Sequence, residues 1–373
     1  MSVNQSGGQS AVEPEWESEL VPFTPNSHSK FKIEWNSVNN QESDKLLEIF
    51  GRYYDCGQAA SIEHVGEWEK MSNNYKVKLA DGNYVLLRRH IQLREQVQIN
   101  FLNSILSHLS AKGVKVPVVI STKYGQNEIL VDSNHYQVFS FIAGDHFRGD
   151  EIELKDVAVN IASLHKILAE MPVSHDEEMW KQPLLPAWNR EGWKNIFEKV
   201  NFLEDDVSKT CHHYRELIEF WLAKVECGHK DISSLSLQPI HADLHPQNTI
   251  FSNRKLVAML DFESVRVDSV IRDFGNAMHR FVRQYVVNSS GSWRTTLPVG
   301  LKIFFDAYST INPLDKRECK FVSVLIADEL LRKLFKDITL YFQGYQGNID
   351  KRELIKKLNL LNEVSLIQTY FNP

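Results

Sequence analysis

Between Ile240 and Glu263 the chain runs twice from a short apolar strand into a cluster of polar side chains. Ile240 opens onto His241-Ala242-Asp243-Leu244-His245-Pro246-Gln247-Asn248, and Val257-Ala258-Met259-Leu260 opens onto Asp261-Phe262-Glu263. Polar groups at the ends of buried strands are held rigidly, a common setting for chemistry. Such strands need a large scaffold on both sides. A chain of 373 residues is long enough to bury one without disulfide or metal staples.

The rest of the chain divides around this segment. Residues 1–30 are rich in Ser, Gly, Gln, Glu and Pro and read as a flexible tail. Asp44–Tyr54 has Leu46, Leu47, Phe50 and Tyr54 at helical spacing. Tyr75–Leu79 and Tyr84–Arg89 flank Asp81-Gly82, the signature of a tight hairpin. A helix over 93–109 ends at Gly113, and three more strands follow over 116–121, 128–131 and 137–142. After Gly144 the pattern is mainly helical, interrupted by strands over 238–262. The expected class is α+β. A β-rich N-lobe of antiparallel sheet with one conspicuous helix spans 31–142, and a mainly helical C-lobe spans 143–373.

Composition excludes several roles. The formal charge is −6, so there is no cationic excess for nonspecific nucleic-acid binding. The spacing of Cys56, Cys211, Cys227 and Cys319 forms no CxxC pair, and their sparseness fits a reducing compartment. No run approaches the ~18 apolar residues of a membrane span. Residues 1–10 lack the apolar core of a signal peptide. The expectation is a cytoplasmic protein with no nucleic-acid or membrane partner. Its oligomeric state is not legible.

The polar cluster suits phosphoryl transfer. That reaction needs a carboxylate for the acceptor's proton, oxygen ligands for Mg²⁺ and a cation on the phosphates. Asp243 supplies the first, and Asn248 with Asp261 supply the second.

The ordered run His241-Ala242-Asp243-Leu244-His245-Pro246-Gln247-Asn248-Thr249-Ile250, followed by Leu260-Asp261-Phe262-Glu263, resembles the catalytic core of the aminoglycoside phosphotransferase and choline kinase family. These enzymes are relatives of protein kinases. The resemblance implies a two-lobed, protein-kinase-like fold and an ATP- and Mg²⁺-dependent transfer of the γ-phosphate to a small-molecule hydroxyl. It makes Asp243 the catalytic base, Asn248 and Asp261 the metal ligands, and His241 a brace of the loop. Asp273-Phe274-Gly275 imitates the kinase metal motif, but lies 25 residues beyond Asn248, against 13 for Asp261. Asp273 therefore reads as a structural anchor for loop N–H groups.

The resemblance reaches the first lobe through single residues. Strand alternation puts Leu86 and Arg88 on one face. Leu86 would line the adenine pocket, while Arg88, or Arg89 beside it, takes the phosphate-binding position that many relatives fill with Lys. Glu95 is a candidate ion-pair partner for that cation. Ser72 and Asn73 fall in the phosphate loop, and the backbones of Ser140 and Ile142 fall at the adenine edge.

The acceptor site is less defined. Glu263, Trp188 and Trp193 are candidates, with Asp328 and Glu329 adding negative charge for an amine-bearing acceptor. Arg266, Arg272, Arg280 and Arg283 instead suit a carboxylate-bearing acceptor such as homoserine. Two alternatives stand beside the kinase reading: a nucleotide-binding regulatory pseudokinase, and a metallohydrolase using His241, Asp243 and His245.

Overall fold

The structure is a computed structural model that describes residues 33–65, 74–90, 95–171, 189–343 and 351–371. The tail expected over residues 1–30 lies outside them. Seven antiparallel strands come first: β1 (Trp35–Ser37), β2 (Ala59–Val65), β3 (Asn74–Leu79), β4 (Tyr84–His90), β5 (Val119–Ile120), β6 (Ile129–Val131) and β7 (Asn134–Ser140). Their spatial order is β1-β2-β3-β4-β7-β5, with β6 also paired to β7. Gly82, at φ +89°, turns the β3–β4 hairpin at the Asp-Gly step.

Two helices accompany this sheet, where the sequence pattern placed them over 44–54 and 93–109. Helix α1 (Asn40–Tyr53) starts at Asn39, whose side chain accepts the Glu42 N–H. Its Leu46, Ile49 and Phe50 form one core with Val77, Val85, Leu87 and Val138 of the sheet. Each such side chain contributes about 1.5–3 kcal/mol when fully buried. Helix α2 (Gln96–Ala111) instead packs Ile99, Leu102 and Ile105 into the core of the other lobe. It stops where Gly113 takes φ +77° and Val114 N–H returns to the Leu109 carbonyl at 2.9 Å.

The helical lobe follows, with α3 (Glu151–Ala169), α4 (Arg190–Val200), α5 (Asp206–His213) and α6 (Arg215–Ile232). Strands β8 (Leu237–Ile240), β9 (Thr249–Ser252), β10 (Lys255–Met259) and β11 (Arg266–Ser269) come next. Then come α7 (Val270–Asn288), α8 (Trp293–Ser309), α9 (Lys316–Phe342) and α10 (Lys351–Phe371). Phe274, Phe281, Phe304 and Tyr308 pack α7 against α8. No helix among the described residues is long and apolar enough to cross a membrane.

Two pairs of hydrogen bonds, three of the four between backbone groups, pin the lobes together. Asp145 N–H donates to the Phe251 carbonyl at 3.0 Å, and Phe251 N–H donates back at 2.7 Å. Met259 N–H donates to the Lys115 carbonyl at 2.8 Å, while Lys115 Nζ reaches the Leu256 carbonyl at 2.6 Å. The β9–β10 hairpin is thereby fixed to the linker after β7 and to Lys115. This is the two-lobed α+β arrangement that the sequence pattern implied.

Candidate active site

The loop from His241 to Asn248 hangs on Asp273, in the first turn of α7. The Asp273 carboxylate accepts the N–H of His241 at 2.9 Å and of Ala242 at 3.0 Å, and it also meets His165 Nε2 at 3.1 Å. Burial opposes its charge, but His165, His241 and the backbone bond hold its carboxyl below the usual range. The His241 ring uses both nitrogens in bracing: Nε2 meets the Leu260 carbonyl at 2.8 Å, and Nδ1 accepts Asp243 N–H at 3.3 Å. That leaves neither nitrogen for a metal, which removes the His241-x-Asp243-x-His245 metallohydrolase reading. Ala242 pays for the sharp loop with φ +66°.

Asp243 projects from this braced loop. Arg280 Nη1 of α7 donates to its Oδ1 at 3.1 Å, and His245 Nε2 lies 3.5 Å from Oδ2. Burial raises the carboxyl, yet His245, Arg280 and Lys333 outweigh it and hold the group well below the usual carboxylate range. It is an ionised acceptor aimed into the cleft.

The β9–β10 register brings the metal candidates together. Thr249 pairs with Met259, and Leu260 N–H donates to the Asn248 carbonyl at 2.8 Å. Asn248 Nδ2 donates to the Asp243 carbonyl at 2.9 Å, which turns its Oδ1 away from the loop. Asp261 sits in the left-handed region at φ +62°, its side chain about 40% exposed. One amide oxygen and one accessible carboxylate are hard donors, so this set fits Mg²⁺.

Across the cleft, the two faces of β4 separate the paired arginines. Arg88 donates through Nη2 to Asp261 Oδ1 at 2.7 Å and through Nε to Glu263 Oε1 at 2.8 Å. Arg89 faces α1, where Nη2 lies 3.4 Å from Glu42. Burial works against the Arg88 charge, but Asp261 and Glu263 hold it on. Burial likewise opposes the Glu263 charge, yet His90 and Arg88 bring that carboxyl down to about 2.

The sequence model of the phosphotransferase enzyme family matches residues 68–307, more than half of the chain. The chain belongs to this family. It is a small-molecule kinase with a hydroxyl acceptor, and ATP with a divalent metal is typical of such enzymes. The phosphotransferase is 22% identical to a homoserine kinase of Rhizobium etli over 329 residues, 87% of this chain and 95% of that one. Its fold is similar to spectinomycin phosphotransferase in complex with ADP and spectinomycin (TM-score 0.63, 14% identity, 88% of this chain and 98% of that one). It is also similar to a microcompartment-associated aminopropanol kinase (TM-score 0.56, 18% identity, 88% and 97% covered).

Several expected site residues lie elsewhere in the phosphotransferase. Glu95 caps α2 in a reciprocal box with Gln98, and the carboxylates on Arg88 are Asp261 and Glu263 instead. Ser140 spends its amide on the Val118 carbonyl at 2.8 Å, so that N–H is not offered to adenine. Ile142 lies beyond β7 in the linker. Glu263 is committed to Arg88 and His90, away from any acceptor. Trp193 is buried between Phe197 and Phe335 and packs the helical core. Ser72, Asn73 and Trp188 lie outside the described residues.

The charges expected at the acceptor site also sort out. Asp328 takes Arg272 at 2.6 Å and Arg332 at 2.9 Å, so it adds no negative charge to the cleft. Glu329 is shared among Arg266, Arg272 and Lys333. Arg283 bonds Glu363 at 3.0 Å. Of the four arginines named from sequence, Arg280 is the one bonded to Asp243. Lys333 stands within electrostatic reach of the same carboxylate and of Arg280. His90 was missed altogether.

Proposed function

We propose that this phosphotransferase uses Mg²⁺-ATP to phosphorylate the hydroxyl of a small acceptor that also carries a carboxylate, a hydroxy amino acid of the homoserine class. The observation that carries the reading is the Arg280 guanidinium on Asp243 at 3.1 Å. A guanidinium on that carboxylate suits an anionic group on the acceptor, because it binds carboxylate in a two-pronged manner. The likeness to a homoserine kinase supports the same class.

In this reading Asp243 orients the acceptor hydroxyl and takes its proton. The hydroxyl oxygen bonds the γ-phosphorus, the bond to the bridging oxygen breaks, and its electron pair leaves with ADP. The transition state is loose, so a weakly basic carboxylate serves mainly by alignment. An acceptor carboxylate drawing Arg280 toward itself would also make Asp243 more basic at the moment of transfer. Asn248 Oδ1 and Asp261 would hold Mg²⁺, which when bound neutralises and bridges the nucleotide phosphates. Arg88 would add positive charge on those phosphates. Leu86 would line the base pocket, with the Ile142 backbone at its edge.

The test is ADP release from Mg²⁺-ATP with homoserine, hydroxylysine, ethanolamine, choline and an aminoglycoside, using Asp243→Asn as the control. Stimulation by a hydroxy amino acid, lost in the variant, is the expected result. Stimulation confined to acceptors without a carboxylate overturns the acceptor class.

A further inference from the structure

In this chain the phosphate-side cation is not tied to the N-lobe helix by a direct ion pair. A chain of buried polar groups links them instead. Glu263 Oε1, already bonded to Arg88 Nε, lies 2.5 Å from His90 Nδ1. His90 Nε2 lies 2.7 Å from Gln137 Oε1. Gln137 Nε2 donates to Asn103 Oδ1 of α2 at 2.7 Å and to the Asn127 carbonyl at 3.2 Å. Asn103 Nδ2 donates to Glu128 at 3.1 Å, and the same carboxylate meets Gln96 in the first turn of α2 at 2.5 Å. Gln137 and His90 are 0% and 2% exposed.

The amide orientations along this chain follow from their partners. Gln137 Nε2 faces two acceptors, so its oxygen is the end that faces His90. The His90 ring is thereby held at both nitrogens, Nδ1 against Glu263 and Nε2 against the Gln137 amide oxygen. A fully satisfied buried network of this kind fixes one geometry. A carboxylate bonded to Arg88 alone would be free to turn with it.

We propose that His90, Gln137 and Asn103 are positioning residues: they carry the placement of helix α2 through Glu263 to the Arg88 guanidinium, which they aim at the nucleotide phosphates. The proposal rests on the reading of Arg88 as the phosphate cation. Helix α2 also packs into the core of the helical lobe, so the relay ties both lobes to one guanidinium.

The experiment compares KM for Mg²⁺-ATP with kcat in Arg88→Ala, His90→Phe, His90→Gln and Asn103→Ala, each checked for folding by its melting midpoint. His90→Phe keeps the volume and removes both ring nitrogens. His90→Gln keeps one nitrogen. Asn103→Ala changes a half-buried side chain on α2 and is the variant best placed to fold normally. Arg88→Ala is expected to raise KM for Mg²⁺-ATP most. His90→Phe and Asn103→Ala should raise it by up to roughly tenfold, as loss of an outer support does, and by more than they lower kcat. His90→Gln should recover part of the loss. A core-packing role would shift the melting midpoint without this split. If Arg88→Ala raises KM while folded Asn103→Ala and His90→Phe stay within about twofold of the parent, the relay is overturned and Arg88 stands. If Arg88→Ala itself leaves KM unchanged, the reading of Arg88 falls and the relay with it.

Discussion

The Arg280 guanidinium donates to the Asp243 carboxylate at 3.1 Å, although 37 residues separate them in the chain. The pair joins the loop over residues 241–248 to α7 beside the carboxylate proposed to take the acceptor's proton. Arg280→Ala should raise KM for a carboxylate-bearing acceptor by about thirtyfold, about 2 kcal/mol of charge-assisted bonding. KM for Mg²⁺-ATP should hardly move. Arg280→Lys should recover part of the loss, since it restores the charge without the fork. Steady-state kinetics varying each substrate separately checks this, and equal rises in both KM values would refute it.

Asp273 makes a prediction about acid stability. Its folded carboxyl lies below its ordinary value, with burial opposing and His165 and His241 favouring the charge. A depressed carboxyl adds stability that is complete above the ordinary carboxylate range and is lost as pH falls toward the folded value. Asp273→Asn keeps the shape but leaves the buried His165 without its anionic partner. Loss of the charge-assisted bonds that the carboxylate accepts from the His241 and Ala242 N–H groups should cost about 1.5–3 kcal/mol near neutrality. Melting midpoints measured from neutral to acid pH should show the difference between variant and parent shrinking as pH falls.

The layout of the candidate site was legible where its segment, residues 240–263, is contiguous. The order of Asp243, Asn248 and Asp261 survives folding intact, since one short hairpin carries it. The acidic partners of Arg88 were not legible, because they arrive from 173 and 175 residues away across the cleft. Glu95 looked suitable in the local string, yet its position at the helix start makes it a cap. His90 had an unused signal. The alternation that aligned Leu86 with Arg88 places residue 90 on the same face. Trp193 had one too: Trp193, Ile196, Phe197 and Val200 are spaced as a helical core stripe.

Ala242 holds φ +66° between His241 and Asp243, and its N–H is bonded to Asp273. An L residue there costs about 1–2 kcal/mol against glycine, partly offset by glycine's freedom in the unfolded chain. Ala242→Gly should therefore keep activity and leave the melting midpoint equal or slightly higher. Ala242→Val, with a branched Cβ, should lower the midpoint by several degrees and lower kcat by displacing Asp243. A valine variant as active and as stable as the parent would show that the loop is not strained at this position.

Gly144 is the last residue of the linker before the Asp145–Phe251 bridge. A Cβ at this position would stand 2.5 Å from the Phe251 carbonyl oxygen and 2.5 Å from Ile250 Cγ2. The oxygen belongs to β9, whose bonds to Asp145 fix the β9–β10 hairpin to the linker, so it has little room to retreat. Gly144→Ala should cost about 1–3 kcal/mol, the usual price of an inserted methyl in packed surroundings. The strain falls one residue from the paired backbone, so β9 must shift and carry Asn248 with it. The variant should accordingly lose Mg²⁺-ATP affinity as well as stability, measured by nucleotide titration on folded protein below its melting range. Loss of stability with unaltered nucleotide affinity would show that the linker yields and the hairpin does not.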